Sequence, residues 1–106
     1  MGDQGVYQLA DYLKGNTRLK SLKLLKNKIS DEGGMILVDA LYYNNTIQTL
    51  NLTQNLLTER TVDAFLELFR SHRALRTIYF NQNSISLRNI KNKVKEMSML
   101  GVNVSI

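Results

Sequence analysis

The chain has 106 residues, one domain's length, and 43% of them are hydrophobic, which supplies one continuous core and excludes a second independent one. Fourteen Lys and Arg against nine Asp and Glu give a formal charge of +5, compatible with an anionic partner and equally with a plain soluble domain. With no cysteine and a single histidine, His72, the composition excludes disulfide scaffolds, thiol nucleophiles and Cys- or His-based metal sites.

In the opening segment Asp3, Asp11 and Lys14 interrupt any apolar signal core, and nowhere do about 18 apolar residues run together. Met1-Gly2 is followed by Val6 where a myristoylation motif wants Ser or Thr. No membrane contact is expected, and the lack of cysteine and proline fits a reducing, intracellular, cytoplasmic setting. Gly5, Leu9, Leu13 and Asn16 precede Gly33, Leu37, Leu41 and Asn44 at one constant offset, so the chain opens in mid-repeat, with residues 1–18 as a partial unit.

The first full unit, 19–46, begins with the alternation Leu22-x-Leu24 of a half-buried strand. Leu37, Ala40 and Leu41 then recur at helical spacing, after Ser30 as a helix cap and with Asp31 and Glu32 favourably placed against the helix dipole. Leu19, Leu22, Leu24, Asn27 and Ile29 return as Ile47, Leu50, Leu52, Asn55 and Leu57 in unit 47–74, and as Leu75, Ile78, Phe80, Asn83 and Ile85 in unit 75–100. Thr58 and Ser86 mark the second and third helix starts. The last helix shifts its apolar stripe by one residue, to Ile90, Val94 and Met97, with Lys93 where Leu37 and Phe65 stood. Val102, Val104 and Ile106 alternate in a terminal capping strand, 101–106.

The pattern L-x-x-L-x-L-x-x-N-x-I in a 28-residue strand-helix unit resembles leucine-rich repeats of the ribonuclease-inhibitor type. The expected fold is therefore an α/β leucine-rich repeat solenoid, a curved parallel sheet inside and helices outside. The resemblance implies an internal asparagine ladder of Asn27, Asn55 and Asn83, which falls where each strand bends toward its helix and leaves backbone groups to satisfy. The bare half repeat at the start predicts a fragment, or the C-terminal end, of a longer array, with self-association through the open N-terminal end as the second reading.

No catalytic constellation is present, and neither a cofactor nor a metal is expected: there is no Gly-rich phosphate loop, no nucleophile next to a base and no paired carboxylates on a predicted cleft. Gly33-Gly34 reads as a site of close helix packing. The side chains between the core positions of the strands line the inner face, and none is acidic. From this cationic, hydrogen-bonding surface Lys20, Lys23, Lys26, Asn51, Gln54, Arg76, Tyr79 and Gln82 are expected to meet a partner, with Tyr79 as an anchor. The expected function is a non-enzymatic scaffold for protein binding, taking an acidic protein or peptide. Binding of RNA or another polyanion through the same lysines is the alternative, weakened by Tyr79 being the one aromatic on that face. The resemblance also admits a GTPase-activating or regulatory scaffold, although nothing singles Arg76 out for phosphoryl charge.

Overall fold

The computed structural model describes residues 2–15 and 18–106. Asn16, the expected match of Asn44, lies outside the described residues. Helix and strand alternate along the chain as α1 (Gly2–Gly15), β1 (Ser21–Lys23), α2 (Asp31–Leu41), β2 (Thr49–Asn51), α3 (Glu59–Phe69), β3 (Thr77–Tyr79), α4 (Leu87–Met99) and β4 (Asn103–Ser105). The strands form one parallel sheet in the order β1-β2-β3-β4. Parallel neighbours require a crossover, and α2, α3 and α4 supply one each. The described residues thus form an α/β domain with four strands and four helices.

Leu22 lies opposite Leu50, Leu50 opposite Ile78, and Ile78 opposite Val104. The first two steps are a full repeat each and the last is two residues shorter, because the final helix returns to the sheet early. At the middle of β1, β2 and β3, Leu22, Leu50 and Ile78 point into the core, while their neighbours face the other way. Leu24, Leu52 and Phe80 follow each strand and are buried too. Against them pack Leu37, Ala40 and Leu41 of α2 and Val62, Phe65 and Phe69 of α3, with Phe65 meeting Phe80 edge-on at 5.6 Å. Each such side chain contributes roughly 1.5 to 3 kcal/mol by leaving water.

The helices pack in chain order, α1 on α2, α2 on α3 and α3 on α4. Gly33 and Gly34 make the contacts on both sides of α2 close. A Cβ on Gly33 would run into Asp3 and stand 2.9 Å from Ile29 Cγ2, and one on Gly34 would stand 2.9 Å from Thr61 Cγ2. In α4, Ile90 and Met97 are buried and Val94 partly so, while Lys93 turns outward to Asp63 at 2.6 Å. Leu87 and Met99 of the same helix are exposed. No described helix is long and apolar enough to cross a membrane.

The expected hydroxyl caps are only partly made. Thr58 accepts from the Arg60 amide at 3.3 Å, but Ser30 and Ser86 form no side-chain cap. All three positions also bond an acid of the preceding unit, and that contact does not decide the cap, since Thr58 makes both. Ser30 hydrogen-bonds through both its amide and its hydroxyl to Asp3, and Thr58 does the same with Asp31.

Candidate functional site

Each of the first three strands leaves the sheet through a turn whose third residue after the strand is left-handed: Lys26, Gln54 and Gln82, with φ of 58°, 59° and 57°. A side chain there carries a backbone penalty of roughly 1 to 2 kcal/mol, so the turn needs support. Asn55 Oδ1 accepts from the amides of Asn27 and Ile29 at 3.0 and 3.1 Å, and its Nδ2 donates to the carbonyls of Leu24 and Leu52. Asn83 repeats this one unit on, accepting from Asn55 and Leu57 and donating to Leu52 and Phe80. Asn27 instead donates to Leu25 within its own turn.

Strand alternation puts Lys23, Asn51, Tyr79 and Ser105 in one row across the open face of the sheet, with Ser21, Thr49, Thr77 and Asn103 in a second. Lys20, Lys23 and Lys26 are exposed and form no ion pair with a described carboxylate. Gln54 and Gln82 are exposed in the same turn position as Lys26, while Tyr79 is half-buried between its strand neighbours. Asn51 is half-buried and its Oδ1 accepts from the Thr53 amide at 3.0 Å. All nine acidic residues lie in the four helices, so the strand face carries no acid.

Arg76 is differently placed from the other seven residues singled out by sequence. It is half-buried, and its guanidinium donates to the Leu100 carbonyl at 2.8 Å and to the His72 carbonyl, tying β3 to the end of α4. Its Nε is buried without a hydrogen-bond partner among the described residues. Burial, and then the charge of Arg73, lower its pKa from the ordinary guanidinium value. His72 is only 6% exposed, and its Nε2 also lacks a partner. Burial, and secondarily the Arg76 charge, push the imidazole below its ordinary value.

Asn44, which His72 replaces one unit on, is fully provided for. Its Oδ1 accepts from the Thr46 and Ile47 amides, and its Nδ2 donates to the Leu13 carbonyl. Beside His72 the surface dips into two adjoining hollows, of about 490 and 460 Å³, which share Asn45, Arg73 and Ala74. No group of three His, Cys, Asp or Glu side chains able to hold a metal occurs among the described residues.

Two features escape sequence reasoning. One is a column of acids: Asp3 holds Ser30, Asp31 holds Thr58 and Thr61, and Glu59 accepts from the Ser86 amide at 2.8 Å. Burial alone would raise Asp31, but hydrogen bonds from Thr58 and Thr61, with the Arg60 charge, hold its pKa below the ordinary carboxylate value. The recurrence of Asp3, Asp31 and Glu59 at one offset, broken by Leu87 in the last unit, is a visible signal; helix-dipole reasoning assigns Asp31 to its own helix instead of the next unit. The other feature is Arg73, which lines both hollows and sits in an irregular loop that no periodicity marks.

No family model matches the chain, and no curated protein does. Among solved structures the chain is similar to Leiomodin-1 Actin-Binding Site 2, with a TM-score of 0.80 and 19% identity over 99% of this chain and 63% of that one. It is also similar to the tropomodulin C-terminal domain from Caenorhabditis elegans, with a TM-score of 0.77 and 16% identity over 94% of this chain and 62% of the other. The chain therefore spans less than two thirds of either structure, and at these identities the likeness is one of fold. It corrects the resemblance to ribonuclease-inhibitor-type leucine-rich repeat proteins. Recurring apolar positions report only that successive strand-helix units bury the same faces against each other, a demand common to stacked arrays of different families.

Proposed function

We propose that the chain is a non-enzymatic protein-interaction module that grips an acidic protein surface with the open face of its sheet. Lys20, Lys23 and Lys26 supply charge, Asn51, Gln54 and Gln82 supply hydrogen bonds, and Tyr79 is the anchor. Arg76 is left out of this contact set, because its guanidinium is engaged by the chain's own carbonyls. The observation that carries the reading is the segregation of charge: every acid is on a helix, and three unpaired lysines stand on or beside β1. A solvated surface of no function would be expected to mix the two signs.

The proposal takes the units 19–46, 47–74 and 75–100 as one array, curved so that the open face is concave. Sheet and helices both running in chain order support that curvature. An intracellular, cytoplasmic setting goes with it, supported by the likeness to an actin-binding site.

That likeness makes actin the first partner to test. Titration of this chain with purified actin should give saturable binding, weakened about tenfold or more when Lys20, Lys23 and Lys26 are together reversed to Glu. Tyr79→Ala should weaken it by over about 1 kcal/mol. Absence of actin binding would remove actin as the partner, and equal binding by both variants would remove the strand face as the site. Retention of random RNA that falls steeply with added salt would favour the polyanion alternative instead.

A further inference from the structure

The two hollows beside His72 form one groove where the loops after α2 and α3 run back to the sheet. Thr49 and Thr77, opposite each other on β2 and β3, connect it to the open strand face. No acidic residue lines it. Arg73 lines both halves, is exposed, and forms no ion pair with a described carboxylate.

His72 lines the first hollow and Arg76 the second, and each keeps a buried nitrogen without a hydrogen-bond partner among the described residues. Leaving such a group unsatisfied is costly, and native structures seldom do so without a use for it. The Arg76 Nε–H can only donate, and its full positive charge and that of Arg73 both favour an anion. The neighbouring unit shows that the fold does not require this arrangement, since Asn44 satisfies itself at the position His72 holds. Together the hollows have the size of an ordinary ligand cleft, enough for a few side chains.

We propose that this groove receives the carboxylate side chains of an extended acidic segment of the partner, with Arg73 as the principal contact. The inference rests on the reading of the strand face as a protein-binding surface and extends that surface around its rim. Carboxylate oxygens would take the free Arg73 guanidinium in two-pronged fashion and the amide of Asn45. The hydroxyls of Thr49 and Thr77 lie on the path from the strand face into the groove.

The test is an NMR titration of isotopically labelled chain with a short polyglutamate peptide, a neutral Gly-Ser peptide and sodium phosphate. Polyglutamate should shift the signals of Asn45, Arg73, Thr77 and the His72 ring, and the Gly-Ser peptide should not. Arg73→Glu should weaken this response about tenfold or more, Arg73→Lys less, and Lys91→Glu on exposed α4, an equal change of net charge, should leave it unchanged. Melting curves of the three variants should coincide with the parent's. Peptide-induced shifts confined to Lys20–Lys26 would overturn the groove and leave the strand face standing. Equal response to phosphate and to peptide, or an undiminished response in Arg73→Glu, would likewise overturn it. The actin titration decides the broader reading separately.

Discussion

At the scale of single residues, the side chains that matter most are amides and an imidazole at the bends between strand and helix. Asn55 satisfies two amides and two carbonyls in two successive units, so Asn55→Ala should destabilise the fold by about 1 to 3 kcal/mol in denaturant melts. Thr53→Ala, two residues away on the open face, should be nearly silent, and equal losses would show that the amide is dispensable. Recurrence makes this position legible, because Asn27, Asn55 and Asn83 stand in register with the apolar repeat. The environment of His72 is not legible: alignment with Asn44 gives its place but not its burial or its unpartnered Nε2. Its folded pKa lies below the unfolded value, so the unfolded chain binds the extra proton as pH falls below about 6.5. Stability should therefore be full above that pH and decline as pH drops from there toward the lowered folded pKa. His72→Asn should remove that slope and raise stability at pH 5.5, because Asn at this position can repeat the bonds of Asn44. A variant with the parent's pH dependence, followed by thermal melts across pH 5 to 8, would show that His72 is not its source.

Between elements, the stack is joined twice, by asparagines along the turns and by acids along the helix starts. Asp31 reaches from the first turn of α2 to the amide and hydroxyl of Thr58 and the hydroxyl of Thr61, at the start of α3. Asp31→Ala should cost about 1 to 3 kcal/mol, more than Asp39→Ala, whose carboxylate is exposed in a 3.7 Å pair with Lys14. Equal, small losses from the two in urea melts would argue that the acid column adds nothing. Gly34 is the packing counterpart. A methyl there meets Thr61 well inside contact distance, so Gly34→Ala should destabilise by about 1 to 3 kcal/mol although alanine favours helices. The strands and helices themselves are readable from two periods, alternation and helical spacing, and the glycine pair points to close packing. Hydroxyl caps are easily over-read, because Ser30 and Ser86 look like caps of their own helices and form none, whereas Thr58 does.

For the whole molecule, the arrangement places every carboxylate on the helices and leaves one sheet face to lysines, amides and a tyrosine. That face is legible because a strand's alternation assigns each residue to one side. The groove beside it is not, since it is built by two irregular loops from successive units. Arg76 stands between core Leu75 and Ile78 and so reads as a face residue, yet it lies two residues from Ile78 and turns to the carbonyls of Leu100 and His72, backbone atoms that no motif records. The lysines divide into two sets that one experiment can compare, Lys20, Lys23 and Lys26 at the strand face and Lys91 and Lys95 exposed on α4. The most direct measurement is the acetylation rate of each lysine, read by mass spectrometry with and without saturating partner, beginning with actin. The account predicts that the partner protects Lys20, Lys23 and Lys26 and leaves Lys91 and Lys95 reacting at the free rate. Protection of the α4 lysines with the strand-face set unchanged would contradict it and put the binding surface on the helices.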